Sequence, residues 1–205
     1  TEADGYWTIT CVRCNKTTTE IDEGTKLGTA ATVNGTKYAT LTEAVAAAPA
    51  GSTIELVHNA IEATAIVVNK EITVNLNGYS IKMPNDTEGN GVFRVVSGGK
   101  LTINGDGLLD AYSAHNGWCM AIWADGGHVT LNGGTYTNKG AKSAEDSEHY
   151  DLIYAKNGGV IVINGGTYIN ETPRWTLNHR NDAQGTIIVN GGSFYQFNPS
   201  NDQTD

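Results

Sequence analysis

The sequence predicts an all-β chain: a right-handed parallel β-helix of about five to six coils with a short N-terminal capping helix. Three observations carry that expectation. One line is written repeatedly, as ITVNLNGYSI, LTINGDGLL, VTLNGGTYTN, IVINGGTYIN and IIVNGGSFYQ. Aligning its Asn-Gly dipeptides puts Asn77, Asn104, Asn132, Asn164 and Asn190 at one position, with spacings of 27, 28, 32 and 26 residues, the length of a β-helix coil. Within each line apolar and polar residues alternate, the period of a half-buried strand, and Thr, Val and Ile stand where a helical repeat would carry helix formers.

The elements follow in chain order. Residues 1–39 read as a small N-terminal attachment segment, with a strand over Tyr6–Val12 and a hairpin over Ala31–Tyr38 turning at Asn34-Gly35. Residues 40–205 read as the β-helix. Thr40-Leu41-Thr42-Glu43 has the spacing of a capping box, and the Ala-rich stretch that follows stops at Pro49 and Gly51, so a helix is expected over 40–48. Leu41 and Val45 lie four apart on one side of it, suited to covering the apolar end of a solenoid. The coils then run over 52–197, starting with the strand Ser52–Val57.

Within the coils three inward ladders are expected. The first is Leu101, Val129, Ile161 and Ile187; the second is Leu76, Ile103, Leu131, Ile163 and Val189; the third is Ile81, Leu108, Tyr136, Tyr168 and Phe194. Gly-Gly turns at Gly98, Gly126 and Gly158 precede the middle strand, and Phe93/Val95, Ala121/Trp123 and Ile153/Ala155 stand before them. Glycine permits positive φ at such corners, and identical Asn side chains stacked about 4.8 Å apart can exchange amide hydrogen bonds. A structural ladder is therefore the expected role of Asn77, Asn104, Asn132, Asn164 and Asn190. Beyond the last coil, Phe194, Phe197 and the polar run Ser200–Asp205 offer no cap, so further chain or a partner is expected to cover that end.

Composition narrows the function. A net charge of -9 with only 13 basic residues in 205 argues against a nucleic-acid groove or an anionic membrane surface, and leaves neutral glycans or protein surfaces as partners. No apolar run approaches the ~18 residues that cross a bilayer, so no membrane span is expected, and Thr1–Ala3 do not open a signal peptide. Cys11 and Cys14 form a C-x-x-C pair with Cys119 far away. Half a zinc site, a strained local disulfide and two plain thiols all remain open for that pair. No cofactor is expected.

A candidate site lies where coil length varies. The connections Pro84–Gly91, Tyr112–Gly117, Lys139–Tyr150 and Glu171–Asp182 occur at equivalent points of successive coils and must project from one long edge. That edge carries Tyr112, His115, Trp118, His149, Tyr150, Arg174, Trp175, His179, Arg180 and Asp182. Tyr112, Trp118, Tyr150, Trp175, Arg174, His179 and Asp182 make a candidate glycan site, because aromatic faces stack on sugar C–H surfaces while polar groups hold hydroxyls. The competing expectation is that Trp118 and Trp175 fold back over the coils. A polysaccharide lyase would need clustered carboxylates for calcium and a base, and an inverting hydrolase a carboxylate pair about 6.5–9.5 Å apart. Asp106, Asp110, Asp125, Asp151 and Asp182 stand at different coil positions, and Asp125 shares a turn position with Ser97 and Asn157. On the middle strand the outward residues become apolar toward the C-terminus, at Val160, Val162 and Ile188. Such a stripe suits assembly into a homo-oligomer such as a trimer, or docking onto another module.

The stretch VNGTKYATLTEAVAAAPAGSTIELV, together with DLIYAKNGGVIVINGGTYIN, PRWTLN and GGSFYQFNPSND, resembles a right-handed β-helix family. That family occurs in surface proteins of gut bacteria and in fibre, head-decoration or tail proteins of the phages that infect them. The resemblance covers Ala31–Asp205 and is specific in combining NGGTY with PRWTLN. It implies a pectate-lyase-like fold and a surface role, and carries over no catalytic residue because the lyase motifs are absent. In similar chains the sequence runs on after FNPSND. The expectation is thus a non-enzymatic structural or attachment protein on a phage virion or a bacterial cell surface, with virion or surface proteins and a cell-surface glycan as partners. A polysaccharide lyase or glycoside hydrolase is the alternative.

Overall fold

The computed structural model describes residues 5–10, 13–22, 29–83, 90–111, 119–138, 151–171, 175–179 and 184–198. An antiparallel pair, β1 (Gly5–Thr10) and β2 (Thr17–Asp22), stands as a sheet of its own. The hairpin β3 (Ala31–Val33) and β4 (Thr36–Tyr38) precedes α1 (Leu41–Ala47), and β5 (Ser52–Leu56) and β6 (Ala60–Ile61) follow it. Then come rungs of three strands. They are β7 (Ile66–Val68), β8 (Glu71–Asn75) and β9 (Ser80–Lys82), followed by β10 (Asn90–Val96), β11 (Lys100–Asn104) and β12 (Leu108–Asp110). Next are β13 (Cys119–Asp125), β14 (His128–Leu131) and β15 (Thr135–Asn138), then β16 (Ile153–Lys156), β17 (Val160–Ile163) and β18 (Thr167–Asn170). The last described rung is β19 (Leu177–His179), β20 (Thr186–Val189) and β21 (Ser193–Tyr195).

From β5 onward each strand pairs in parallel with its counterpart one rung away, so the described residues form an all-β parallel solenoid with one short helix. The first sheet runs β7-β10-β13-β16-β19, the second from β5 and β8 to β20, and the third from β6 to β21. The ladders fill the interior. Ile72, Leu101, Val129 and Ile161 stack in register, as do Val74, Ile103, Leu131 and Ile163, none more than 1% exposed. Burying one such side chain contributes about 1.5–3 kcal/mol. A third column, Ile81, Leu109, Tyr136, Tyr168 and Phe194, ends in rings stacked 4.9 Å apart. The Tyr136 and Tyr168 hydroxyls donate to the Gly133 and Gly165 carbonyls at 2.8 Å.

The register corrects three expectations. Asn75, not Asn77, pairs with Asn104 and starts the Asn ladder, while Asn77 donates to Glu55 and to the Leu56 carbonyl; Val74 accordingly takes the place given to Leu76, which is nevertheless buried. Leu109, not Leu108, enters the third column. Both slips have one cause. The corner from the Asn column to the third sheet takes four residues at Asn132, Asn164 and Asn190, five at Asn104 and six at Asn75, so counting from Asn-Gly drifts toward the N-terminus. Likewise Ile122 and Ala124, rather than Ala121 and Trp123, align with Phe93 and Val95; the turn after β13 is one residue shorter than its neighbours. Trp123 therefore points away from the ladder column.

The helix closes the N-terminal end. Thr40 Oγ1 accepts from the Glu43 N–H at 3.1 Å and Glu43 answers at the Thr40 N–H, the expected capping box. Leu41, Ala44 and Val45 are buried, and β3 pairs antiparallel with β5, which ends the parallel stacking there. The last rung differs. Val189 is 47% exposed where its ladder mates are closed off, Phe197 lies edge-on to Phe194, and the Thr176 N–H donates to the Asn198 carbonyl.

Candidate functional site

Two polar constellations flank the first sheet. The first lies on its outer face. Val67, Arg94, Trp123, Tyr154 and Asn178 form one outward column, with Val96, Asp125 and Lys156 beside it. Arg94 donates from Nε at 3.0 Å and from Nη2 at 2.5 Å to Asp125 Oδ2, and Asn157 Nδ2 donates to Oδ1 at 2.6 Å. The Arg94 guanidinium sits 4.3 Å from the Trp123 ring centre, with Lys156 Nζ at 5.4 Å. Trp123, Tyr154 and Met120 form a second, smaller apolar cluster outside the main one. Only 4% of Trp123 is exposed, so its face is already occupied by cations and offers no platform for a sugar. Asp125, expected to be a turn residue, is instead the anchor that aligns Arg94.

The second constellation is a buried polar corner between the third and first sheets, at the root of the variable connections. Asp151 is 2% exposed; its Oδ2 accepts from Asn178 Nδ2 at 2.9 Å, its Oδ1 from the Trp175 N–H at 3.4 Å, and its carbonyl from Asn138 Nδ2 at 3.3 Å. Asn138 and Asn170 pair across β15 and β18, and Asp110 accepts from Thr137 Oγ1 at 3.1 Å. A carboxylate buried here costs free energy unless donors surround it, and these amides supply them. The repeated endings TYTN and TYIN held the signal for Asn138 and Asn170. Nothing in the repeat marks Asn178, whose partner is 27 residues away.

Of the expected glycan residues, Trp175 and His179 are half-buried; Trp175 is tied by its backbone to Asp151, and His179 lies in β19 beside Ala155. Tyr112, Trp118, Tyr150, Arg174 and Asp182 lie outside the described residues, as do His115, His149, Arg180 and Cys11. Val160 and Val162 are half-buried on the outer face of the second sheet, and Ile188 is 45% exposed. Cys14 is an exposed free thiol. Among the described residues no group of three His, Cys, Asp or Glu side chains could hold a metal ion, and no helix is long and apolar enough to cross a membrane.

Comparison with known proteins yields no match: no family model, no curated protein and no solved structure matches the chain.

Proposed function

We propose that the chain is a non-enzymatic structural or attachment module of a phage virion or bacterial cell surface, which holds out one loop edge to bind a glycan. One observation supports this most directly. The stacked ladders fill the interior, while the connections of variable length leave successive coils at equivalent points, between a third-sheet strand and the next first-sheet strand. A stiff body with variation confined to one edge suits presentation of a binding surface. The surface location and the virion partners rest on the resemblance of Ala31–Asp205 to fibre, decoration and surface proteins.

The alternative, a polysaccharide lyase or hydrolase, draws on the carboxylates beside that edge, Asp110 and Asp151. One experiment separates the two. The protein is incubated with a panel of neutral and acidic polysaccharides, and both retention and new reducing ends or unsaturated uronates are measured. Retention without chain cleavage is the expected result. Cleavage products would overturn the non-enzymatic reading, and no retention by any polysaccharide would overturn the glycan-binding part of it.

A further inference from the structure

The last described rung ends three sheets at once. Among the described residues β19, β20 and β21 are the terminal strands of the first, second and third sheets, each with one edge that no strand occupies. Asn198 takes part of the β19 edge, accepting from the Thr176 N–H at 2.7 Å and donating to Thr176 Oγ1 at 2.9 Å. The edge of β20 is therefore the longest left open, and Ile188, Val189, Tyr195 and Phe197 stand 45–56% exposed around it.

Natural sheets blunt such edges with Lys, Pro, an inward charge or a covering segment. Residues 175–179 and 184–198 contain no Asp, Glu, Lys, Arg or Pro, in a chain of net charge -9. This end is thus neutral where the rest of the molecule repels its own copies. The opposite end differs on both counts: α1 lies across it with Leu41, Ala44 and Val45 buried, and β4, the terminal strand of the second sheet there, exposes Lys37. A partner that satisfies the open end must bring three strand edges in one plane, and the last rung of a second copy is such a surface.

We infer that two copies of the chain pair end to end through their last rungs, about a two-fold axis centred on Ile188. The axis sets β20 antiparallel to its counterpart, and residues directly opposite in an antiparallel pair share a face. Ile188 then meets Ile188 on the outside, Ile187 meets Val189 on the inside, and Thr186 meets Asn190. A slip of one residue would oppose inward to outward side chains. Among the registers that match faces, this one opposes every inward apolar residue of β20 with another. The Thr186 hydroxyl of each copy stands across from the Asn190 amide that ends the other's Asn ladder, a donor for its oxygen. The same axis lays β19 of each copy over β21 of the other, with the inward Leu177 and Phe194 between them. The contact is isologous and closes at two copies. It follows mass action, so the single chain in dilute solution keeps its last rung open.

Light scattering across a concentration series tests this, with hydrogen exchange at β20 read on the same samples. The expected mass rises from one chain to two and no further, reversing on dilution, and exchange at β20 slows as the double mass appears. Ile188→Lys puts two ammonium groups on the axis and should hold the chain at single mass with an unchanged circular dichroism spectrum, Ile188 being exposed in the single chain. Ile188→Glu should do the same, and mixing the two variants should restore the double mass, because the residue meets its own counterpart. Val162→Lys, one rung inward on the same outer column, should still pair. Single mass at every concentration, growth beyond two copies, a double mass kept by Ile188→Lys alone, no restoration in the mixture, or loss of pairing in Val162→Lys would each overturn the inference. Slow exchange at β20 at every concentration would assign the cover to the chain itself and overturn it as well. Glycan retention is read separately, so failure here is distinct from failure of the attachment role.

Discussion

At the scale of single residues, the columns act through hydrogen bonds and stacking that one substitution can interrupt. Asn132 donates to Asn104 Oδ1 and accepts from Asn164 Nδ2, each at 2.8 Å. Asn132→Ala removes both bonds, and at about 0.5–1.5 kcal/mol each it should lower stability by roughly 1–2 kcal/mol, the exposure of Asn132 holding the loss to the low end. Asn132→Asp keeps the acceptor and should lose less, and both are read as a urea midpoint shift at constant slope. Tyr136 and Tyr168 make a different claim. Burial pushes both phenols above their usual value, Tyr136 further raised by its neighbour Tyr168. A raised folded pKa means that the folded state holds the proton more tightly. Below the unfolded value of about 10 both states are protonated and the contribution is fully present; as pH rises above it the unfolded state alone ionises, and stability falls. Denaturation at pH 7 and pH 11 should show that fall, and Tyr168→Phe should shrink it while costing about 0.5–1.5 kcal/mol at pH 7 for the lost bond to Gly165. An equal fall in the variant would assign the alkaline loss elsewhere.

At the scale of elements, the helix is held from a place its own sequence does not announce. Glu62 is buried, and its carboxylate accepts from the Leu41 N–H at 2.7 Å, the Thr42 N–H at 3.3 Å and the Thr42 hydroxyl at 2.6 Å. These are first-turn donors with no partner inside the helix. Glu62→Ala should therefore cost about 1–3 kcal/mol, and Glu62→Gln less, because the amide keeps one acceptor oxygen. Hydrogen exchange at α1 should accelerate in the alanine variant while that at β14 and β17 holds; unchanged exchange at α1 would show that Glu62 is not its anchor. Legibility in the sequence divides the same way. The capping box at Thr40 and the columns at Leu101, Ile103 and Tyr136 were readable because their determinants repeat or lie within four residues. Asn75, Leu109 and Ile122 were misplaced because corners gain or lose one residue between rungs, which alternation cannot register. The carboxylates of Glu62 and Asp151 and the amide of Asn178 act on partners 20 or more residues away, and such pairings exist only once the coils are stacked. The Gly158-Gly159 turn was legible for its positive φ of 78° at Gly158, though not for Gly159, where a Cβ would collide with the Ala124 carbonyl.

At the scale of the whole molecule, a solenoid is nearly one-dimensional, each rung resting on its two neighbours, so stability should follow position along the axis. One end is closed by α1 and by the antiparallel β3, with Ile54 and Val74 fully buried behind them. At the other, Val189 holds the same ladder position as Leu131 and Ile163 yet remains 47% exposed. The same truncation should then have different consequences in one column. Leu131→Ala empties a closed site between two rungs and should cost about 2–5 kcal/mol, whereas Val189→Ala removes methyls already half in water and should cost under about 1 kcal/mol. Hydrogen exchange supplies the parallel reading: amides of β20 and β21 should open first and those of β11 and β14 last, because opening an interior rung breaks two interfaces and opening the last one breaks one. Equal costs for the two substitutions, with uniform exchange along the axis, would mean that the last rung is covered in solution as fully as the interior, and the place to look for the cover would be the surface formed by Ile188, Val189 and Phe197.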